Sequence, residues 1–313
     1  MTAKQKLIIG SRGSALARWQ AEWVKGRLTA AHPELEVTIE LIKTKGDKIL
    51  DVPLAKVGGK GLFVKEIEDA LLDGRIDLAV HSMKDVPTEL PPGLGITVIP
   101  EREDPRDAFF SHDGTPLAQL PAGSIIGTSS LRRRSQLKHR FPALALKDLR
   151  GNVDTRLKKL ANHEYDGIIL AYAGVKRLGL DGRVTEVLPV SLSLPAIAQG
   201  ALGLETRLDD RDTYELIAFL HHQPTSVAVT AERAFLRTLE GGCQVPIAAH
   251  ATLDDDGLVT LTGLVAREDG SLVLQETASS HQDPDELGTS LANQLLERGA
   301  REILRECYES GSH

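Results

Sequence analysis

Residues Lys6 to Ala31 read KLIIGSRGSALARWQAEWVKGRLTAA. The first five residues form a β-rich run, and the Ser-Arg-Gly-Ser tetrapeptide that follows is typical of a turn. Apolar residues then recur at helical spacing until the chain reaches His32-Pro33. The pattern predicts a strand, a polar turn and a helix, the unit from which open α/β sheets are built.

Strand and helix patterns alternate through the first two-thirds of the chain. After the opening unit, the sequence predicts strands at Val37–Ile42, Ile76–Val80 and Ile96–Ile99, and a helix at Leu62–Leu72. A charged, proline-bearing segment interrupts this pattern at Pro100–Arg106. The pattern then restarts, with strands at Ser124–Gly127, Leu144–Lys147 and Gly167–Ala171 and helices after Ser130, at Val153–Ala161 and at Gly174–Leu178. The alternation predicts mixed, mostly parallel sheets with helices on both faces.

The C-terminal part has a different pattern. Three strands are predicted, at Ala248–Leu253, Leu258–Val265 and Leu272–Ala278, and Asp-Gly turns separate them. Pro284–Tyr308 then has the apolar periodicity of one long helix. Together these elements predict a small α+β domain.

At roughly 150 residues per domain, the 313 residues of the chain correspond to about two domains, or to three small ones. Ala201–Thr206 is predicted as a strand that returns to the first domain, and two crossings of this kind would form a hinge. The predicted fold class is α/β, with two mixed, mostly parallel sheets and the small C-terminal α+β domain. The predicted domains are residues 1–100 with 200–218, residues 106–194, and residues 223–313.

Composition excludes several classes of protein. The 37 Lys and Arg against 44 Asp and Glu give a net charge of −7, which disfavours nonspecific binding of polyanions. No apolar run approaches the roughly 20 residues that span a bilayer, and no signal-peptide pattern is found, so the cytoplasm is predicted. Two cysteines exclude a disulfide framework and a Cys-rich zinc site. The histidines lack ligand spacing, so no metal is predicted.

One segment is strongly basic within this acidic chain. From Leu131 to Lys159 there are ten Lys or Arg against two acids. Arg132 and Arg133 follow Thr128-Ser129-Ser130 just after a predicted strand, so hydroxyl groups, helix N-terminal N–H groups and guanidinium groups can converge on one carboxylate or phosphate. Arg150-Gly151-Asn152 precedes the next helix in the same way. The alternative is a solvated helix face whose charges form ion pairs with other segments.

Two more segments resemble anion-binding turns. Gly13 lets the backbone approach a ligand, and its neighbours Arg12 and Ser14 supply donors. Lys56 and Lys60 lie in a glycine-rich loop that is either a surface loop or a phosphate-binding one. The pattern of a P-loop is absent, so a nucleotide-binding P-loop is excluded.

Two segments carry candidates for chemistry. His81-Ser82-Met83-Lys84-Asp85 follows a buried strand, and α/β proteins place reactive side chains at strand ends. Asp85 is either part of a salt-bridged turn with Lys84 or a carboxylate that stabilises a cation formed during a reaction. Cys243 lies in Gly-Gly-Cys-Gln-Val-Pro, a loop that would expose its thiol, whereas Cys307 lies in the last predicted helix.

Taken together and in order, these segments resemble the porphobilinogen deaminase family, also called hydroxymethylbilane synthases. The resemblance runs from about Leu7 to Tyr308, and five motifs carry it: Lys56 to Phe63, Ala79 to Pro87, Gly127 to Arg133, Leu149 to Val153, and Glu240 to Cys243. It implies two domains like periplasmic binding proteins and a small α+β domain. It also implies a monomeric, cytoplasmic transferase of haem biosynthesis.

The resemblance further implies a dipyrromethane cofactor attached through a thioether to Cys243. Four porphobilinogen molecules are added to it with loss of ammonia, and the linear product is then released. Asp85 would stabilise the positive charge that forms when ammonia leaves. The residues implied to bind the cofactor are Lys84, Asp85, Thr128, Ser129, Ser130, Arg132, Arg133, Arg150 and Gly151. Those implied to bind the substrate are Arg12, Ser14, Lys56, Lys60, Phe63, Arg150, Arg156, Arg177 and Gln199.

Two other classes of protein fit part of the pattern. A ligand-binding regulator of the same architecture would use the arginines to hold an anion, but it would need neither Asp85 nor Cys243. A nucleic-acid-binding protein would use the basic segment on phosphates. The acidic chain and its 4% aromatic content disfavour the second alternative, because few side chains are left for base stacking.

Overall fold

The computed structural model describes residues 4–44, 64–240 and 245–311. The strands are β1 Lys6–Ser11, β2 Glu36–Leu41, β3 Leu78–Ser82, β4 Leu94–Val98, β5 Asp107–Ser111, β6 Ile125–Gly127, β7 Ala145–Lys147, β8 Gly167–Ala171, β9 Glu186–Leu188, β10 Leu202–Arg207, β11 Ile247–Leu253, β12 Val259–Ala266 and β13 Val273–Ser280. The α-helices are α1 Ala15–Ala31, α2 Lys65–Leu72, α3 Leu131–Arg140, α4 Val153–Ala161, α5 Tyr172–Arg177, α6 Arg211–Ile217, α7 Gln223–Thr238, α8 Pro284–Leu295 and α9 Arg301–Gly311. Among the residues described, none of these helices combines the length and the apolar character needed to cross a bilayer.

The chain forms two compact units. Unit 1 contains the described residues 4–44, 64–103 and 201–226. Unit 2 contains residues 104–200, 227–240 and 245–311. The division of the chain into three domains stays a prediction.

Unit 1 is built on one five-stranded sheet, in the order β2-β1-β3-β10-β4. Strands β1, β2 and β3 are parallel, and β10 runs antiparallel between β3 and β4. The return of the chain to this sheet after residue 200 was predicted from the sequence and is confirmed. Side chains alternate across the sheet, so Leu78 packs on the α1 side and Ala79 packs on the α2 side.

Unit 2 contains a second five-stranded sheet, in the order β7-β6-β8-β5-β9. Strands β7, β6 and β8 are parallel, and β5 runs antiparallel beside β8. Helix α4 covers one face through Leu157 and Leu160, and α3 covers the other through Leu137. The helices that follow β6, β7 and β8 therefore all begin at the carboxyl edge of this sheet.

A smaller antiparallel sheet of β11, β12 and β13 completes unit 2. Gly257 and Gly270 lie at positive φ, at 80° and 75°, in the two turns that join these strands. Both turns were predicted from their Asp-Gly pairs. Gly288 of α8 packs closely on α7, where a side chain at this position would collide with the Ala231 carbonyl.

The prediction of a single long helix over Pro284–Tyr308 is wrong. Helix α8 ends at Leu295, an irregular turn covers Leu296–Ala300, and α9 follows. Gly299 adopts φ 108° in this turn, which is outside the helical region and is readily reached only by glycine. The predicted α/β class, with mixed sheets and a small C-terminal sheet and helices, is confirmed.

Candidate functional site

Two loops of unit 1 lie at the carboxyl edge of its sheet. Strands β1 and β3 are parallel neighbours, so the β1–α1 turn and the segment after β3 lie at the same edge. Ser14 is the N-cap of α1, and its Oγ accepts a hydrogen bond from the Ala17 N–H at 3.3 Å. Arg12 is half-buried in the same turn. The positively polarised N-terminus of α1 and the Arg12 side chain therefore belong to one turn.

Lys84 and Asp85 lie in a short 3₁₀ turn, Met83–Asp85, that directly follows β3. Met83 is buried, Lys84 is half-buried and Asp85 is exposed. Across the described part of the chain, no hydrogen bond or ion pair holds the Asp85 carboxylate. Asp85 is therefore not salt-bridged within its turn, and its carboxylate is free to meet a ligand.

In unit 2, the β6–α3 turn contains three of the predicted hydroxyl groups. Ser130 is the N-cap of α3, and its Oγ accepts from the Arg133 N–H. Thr128 Oγ1 accepts from the Ser130 N–H at 3.2 Å. Ser129 Oγ accepts from the Leu149 N–H and donates to the Leu149 carbonyl, so it joins this turn to the neighbouring β7–α4 turn. These hydroxyl groups shape both turns.

The β7–α4 turn presents a second cationic helix N-terminus. Asn152 caps α4 by accepting from the Thr155 N–H at 2.9 Å. Gly151 has φ 110°, and a side chain there would collide with Thr155. Arg150 is half-buried, and within the described residues it makes no hydrogen bond or ion pair. Among the residues that the structure describes, Arg150 is thus a cation without an ion pair at a helix N-terminus.

Arg132 and Arg133 converge on one buried carboxylate, that of Asp107. Arg132 donates from Nη1 and Nη2 to Asp107 at 2.9 and 3.3 Å, and Arg133 donates from Nη2 at 2.7 Å. Ser193 Oγ and Gln199 Nε2 donate to the same carboxylate at 2.7 and 2.9 Å. Complete burial alone would raise the pKa of Asp107, but the two arginines hold it well below its usual range.

The internal contacts of the two arginines limit what they can offer a ligand. Arg132 also donates to the Leu194 carbonyl, and Arg133 Nη1 donates to the Ile169 carbonyl. Both N–H groups of Arg132 Nη1 are therefore engaged within the protein, whereas Arg132 Nη2 and the two Nη atoms of Arg133 each engage one of their two N–H groups. Arg133 Nε is buried and has no hydrogen-bond partner among the described residues.

Arg156 of α4 extends this cationic cluster. Its Nε donates to the Gly151 carbonyl at 2.7 Å. Burial and the nearby charge of Arg133 lower the pKa of Arg156 to about 10. A bound anion would relieve the repulsion between these two arginines.

Asp107 was missed by the sequence analysis. It begins β5, an antiparallel strand, and pairs with Ala171 at the end of β8. This arrangement brings Asp107 to the edge where β6, β7 and β8 end. Gln199 also donates to the Pro105 carbonyl, and Arg177 donates to the Gly200 carbonyl, so both predicted substrate ligands have internal partners.

Four predicted site residues, Lys56, Lys60, Phe63 and Cys243, lie outside the described residues. Over the ranges that the structure covers, no group of three or more His, Cys, Asp or Glu residues is placed to hold a metal ion.

A separate cluster of ionisable groups lies on the α2 side of the unit 1 sheet. His81 Nε2 donates to Glu205 Oε2 at 2.7 Å, and both side chains are buried. Glu68 of α2 lies near both. The pKa of Glu68 is raised to about 7, first by burial and then by the charge of Glu205, and His81 opposes this rise.

The raised pKa of Glu68 predicts a stability that falls with pH. In the unfolded chain a glutamate loses its proton near pH 4.3, whereas Glu68 keeps its proton in the folded state up to about pH 7. Between these values the folded state binds more protons, so its stability declines as the pH rises. We expect Glu68→Gln to raise the midpoint of thermal unfolding at pH 8 by several degrees, and to raise it far less at pH 4.5.

Thermal unfolding of Glu68→Gln and wild type across this pH range measures the effect. Glu22→Gln, at an exposed position of α1, is the matched control and should leave the pH dependence unchanged. Equal gains for Glu68→Gln at both pH values would contradict the prediction.

Mixed sheets with cationic helix N-termini at their strand ends are typical of α/β proteins that bind anionic small molecules. Residues 7–215 match the family model "Porphobilinogen deaminase, dipyromethane cofactor binding domain", and residues 226–297 match "Porphobilinogen deaminase, C-terminal domain". The chain belongs to the porphobilinogen deaminase family. It is a transferase of tetrapyrrole biosynthesis with a dipyrromethane cofactor.

Two curated relatives are similar over nearly the whole chain. A porphobilinogen deaminase from Syntrophotalea carbinolica is 61% identical over 299 residues, which is 95% of each chain. One from Nitratidesulfovibrio vulgaris is 56% identical over 312 residues, which is 98% of each chain. The resemblance predicted from the five sequence motifs is thereby confirmed.

Solved structures of other families are similar at a lower level. A lipoprotein of the YaeC family from Enterococcus faecalis has a TM-score of 0.43 at 13% identity, over 71% of this chain and 93% of that one. The periplasmic aliphatic sulphonate binding protein SsuA from Escherichia coli has a TM-score of 0.39 at 16% identity, over 76% of this chain and 71% of that one.

Proposed function

We propose that this chain joins four porphobilinogen molecules head to tail, releases four ammonia, and then releases hydroxymethylbilane by hydrolysis. Asp85 is the proposed catalytic residue, and Cys243 is the proposed point of covalent attachment. The dipyrromethane, when bound, supplies the terminal pyrrole to which the first substrate is joined.

The observation that supports this function is the cluster of arginines at two neighbouring helix N-termini of unit 2, where Arg132 and Arg133 share the single Asp107 carboxylate. Each pyrrole of the cofactor and of the substrate bears an acetate and a propionate, so the ligand is a polyanion. Arg150 has no partner in the described chain, Arg133 Nε is buried without one, and Arg156 has a lowered pKa. This donor set fits carboxylates, because a carboxylate supplies both the negative charge and the acceptors that the arginines lack.

The proposed cofactor ligands in unit 2 are Thr128, Ser129, Ser130, Arg132, Arg133, Arg150 and Gly151, and those in unit 1 are Lys84 and Asp85. The internal contacts of Arg132 and Arg133 leave them fewer N–H groups for a ligand than free arginines would have. They supply positive charge, and Arg133 also has a buried Nε–H without a partner among the described residues. The proposed substrate ligands are Arg12, Ser14, Lys56, Lys60, Phe63, Arg150, Arg156, Arg177 and Gln199.

Asp85 is suited to stabilise a cation that forms on the substrate. When ammonia leaves porphobilinogen, positive charge develops on the pyrrole and its methylene carbon. No hydrogen bond or ion pair holds the exposed Asp85 carboxylate within the described residues, so it can offer both oxygens to the pyrrole N–H and to that charge. Asp85 would therefore bind the transition state more tightly than the ground state.

We also propose that the chain acts as a monomer in the cytoplasm, on a small-molecule substrate, and without nucleic-acid or membrane partners. The net charge of −7 supports the absence of nucleic-acid partners, because it repels polyanions outside the local cationic cluster.

Arg156→Gln tests the anion-binding role. The substitution removes a charge from the cluster, and a charged hydrogen bond contributes about 1.5–3 kcal/mol, so we expect the KM for porphobilinogen to rise at least about tenfold. Steady-state kinetics give this value, and mass spectrometry of the denatured protein gives its cofactor content.

Arg183→Gln is the matched control, because Arg183 is exposed in the 3₁₀ turn Asp181–Arg183 of the same unit. It should leave both measurements unchanged. If the KM of Arg156→Gln were within twofold of the Arg183→Gln value at equal cofactor content, Arg156 would not be a substrate ligand.

A further inference from the structure

The position of the Asp85 carboxylate depends on the backbone that carries it. The side chain is exposed and, among the described residues, no hydrogen bond or ion pair of its own orients it. Strand β3 and the short turn after it must therefore place the carboxylate. Whatever anchors the end of β3 also sets the geometry of Asp85.

The end of β3 is anchored to its antiparallel neighbour β10. The buried His81 Nε2 donates to Glu205 Oε2 at 2.7 Å. Two further hydrogen bonds hold the next residues: the Met83 N–H donates to the Ala201 carbonyl at 3.0 Å, and Gln20 Nε2 of α1 donates to Ser82 Oγ at 3.0 Å. Of these three hydrogen bonds, only the one between His81 and Glu205 joins two ionisable side chains.

The register of the sheet explains how this pair forms. Gly203 lies opposite His81, and Glu205 lies opposite Ala79, so His81 and Glu205 share one face. Gly203 has no side chain to separate them. Glu205 therefore reaches diagonally across to the imidazole ring.

Joining β3 to β10 through this pair carries a free-energy cost. Glu205 is completely buried, His81 is 5% exposed, and Glu205 Oε1 has no hydrogen-bond partner in the described structure. Burying such groups costs free energy that their mutual attraction repays only in part. Apolar side chains would join β3 to β10 at lower cost, so a purely stabilising role does not account for the pair.

We propose that His81 and Glu205 are positioning residues for Asp85. Their directional hydrogen bond fixes the end of β3, four residues before the catalytic carboxylate. This inference rests on the proposed role of Asp85. Because the pair touches no ligand in the proposed site, it acts on the rate of the chemical step and not on substrate binding.

His81→Asn and Glu205→Gln test the proposal, with the double variant completing a thermodynamic cycle. Each single variant should lower kcat about tenfold and leave the KM within twofold, because small displacements of a catalytic group cost rate. The double variant should be no slower than the slower single variant, since the two residues act as a unit. Glu205→Gln preserves the shape of the side chain, so it still tests the proposal if His81→Asn fails to fold.

Asp77→Asn is the matched control, because it removes a polar anchor from the other end of the same strand. Asp77 precedes β3, accepts from the Ile8 N–H at 2.8 Å and pairs with Lys4 at 2.8 Å. It should lower the unfolding temperature without lowering kcat. Hydrogen exchange of the peptide that contains Met83 to Val86 should accelerate in His81→Asn but not in Asp77→Asn.

All kinetic values are compared at equal cofactor content, measured from the mass of the denatured protein. If kcat in both single variants stays within twofold of wild type, or if Asp77→Asn slows kcat equally, the pair is only structural. Asp85→Asn, measured in parallel, separates the two hypotheses. Full activity of Asp85→Asn would overturn the proposed function, whereas an inactive Asp85→Asn beside fully active His81 and Glu205 variants would overturn this inference alone.

Discussion

The Asp85→Asn variant should fold and load its cofactor normally but turn over porphobilinogen about 10²- to 10³-fold more slowly. A loss of this size is usual when an electrostatic stabiliser of the transition state is removed. Asparagine keeps the shape of the side chain and loses its charge. The Asp85 carboxylate has no hydrogen bond or ion pair among the described residues, so the substitution breaks no contact in that part of the protein. The expected loss is therefore in kcat and not in stability.

Glu89→Gln is a suitable control for this experiment. Glu89 is an exposed acid four residues further along the same segment, so its substitution removes the same charge from the same region. The measurements are kcat, cofactor content by denatured mass and the unfolding temperature. If Asp85→Asn turned over substrate as fast as Glu89→Gln, Asp85 would have no catalytic role.

Local sequence patterns predicted much of the fold. The helices at Ala15–Ala31 and Val153–Ala161 were predicted with the bounds that the structure has, because their apolar residues recur at helical spacing. The carboxyl-edge turns were also predicted from local pattern, because each combines a strand end, a helix start and an arginine. These signals depend only on residues close together in the chain.

The residues that the sequence analysis missed depend on distant partners. Asp107 begins a five-residue strand, and its first position is polar, so the strand was not predicted. Its importance follows from the antiparallel register that brings it to Arg132 and Arg133. Likewise, His81 lies in the Ala79 to Pro87 motif, but its partner Glu205 is 124 residues away in the chain. Pattern reading cannot identify such pairs because no local periodicity marks them.

Removing the thiol of Cys243 should abolish covalent loading altogether. A serine hydroxyl is a far weaker nucleophile than a thiol, so Cys243→Ser should carry no added mass and should not turn over porphobilinogen. The denatured wild-type protein should carry an excess equal to two linked pyrroles. The measurement is the intact mass of both proteins under denaturing conditions.

Cys307→Ser is the control, since Cys307 is the other of the two cysteines. Cys307 is half-buried in α9, and burial together with the charges of Glu268 and Glu306 raises the pKa of its thiol. A thiol that keeps its proton is a poor nucleophile. Cys307→Ser should therefore carry the same added mass and have the same activity as wild type.

Incubation with porphobilinogen makes the comparison decisive for a preparation that lacks the cofactor. Wild type and Cys307→Ser should both gain mass that survives denaturation, because the thiol of Cys243 is intact in each. Cys243→Ser should gain none. A mass gain in Cys243→Ser, or none in wild type, would contradict attachment at Cys243. If Cys307→Ser were the one variant that gained no mass, the cofactor would be attached to Cys307 in α9. The raised pKa of that thiol argues against this outcome.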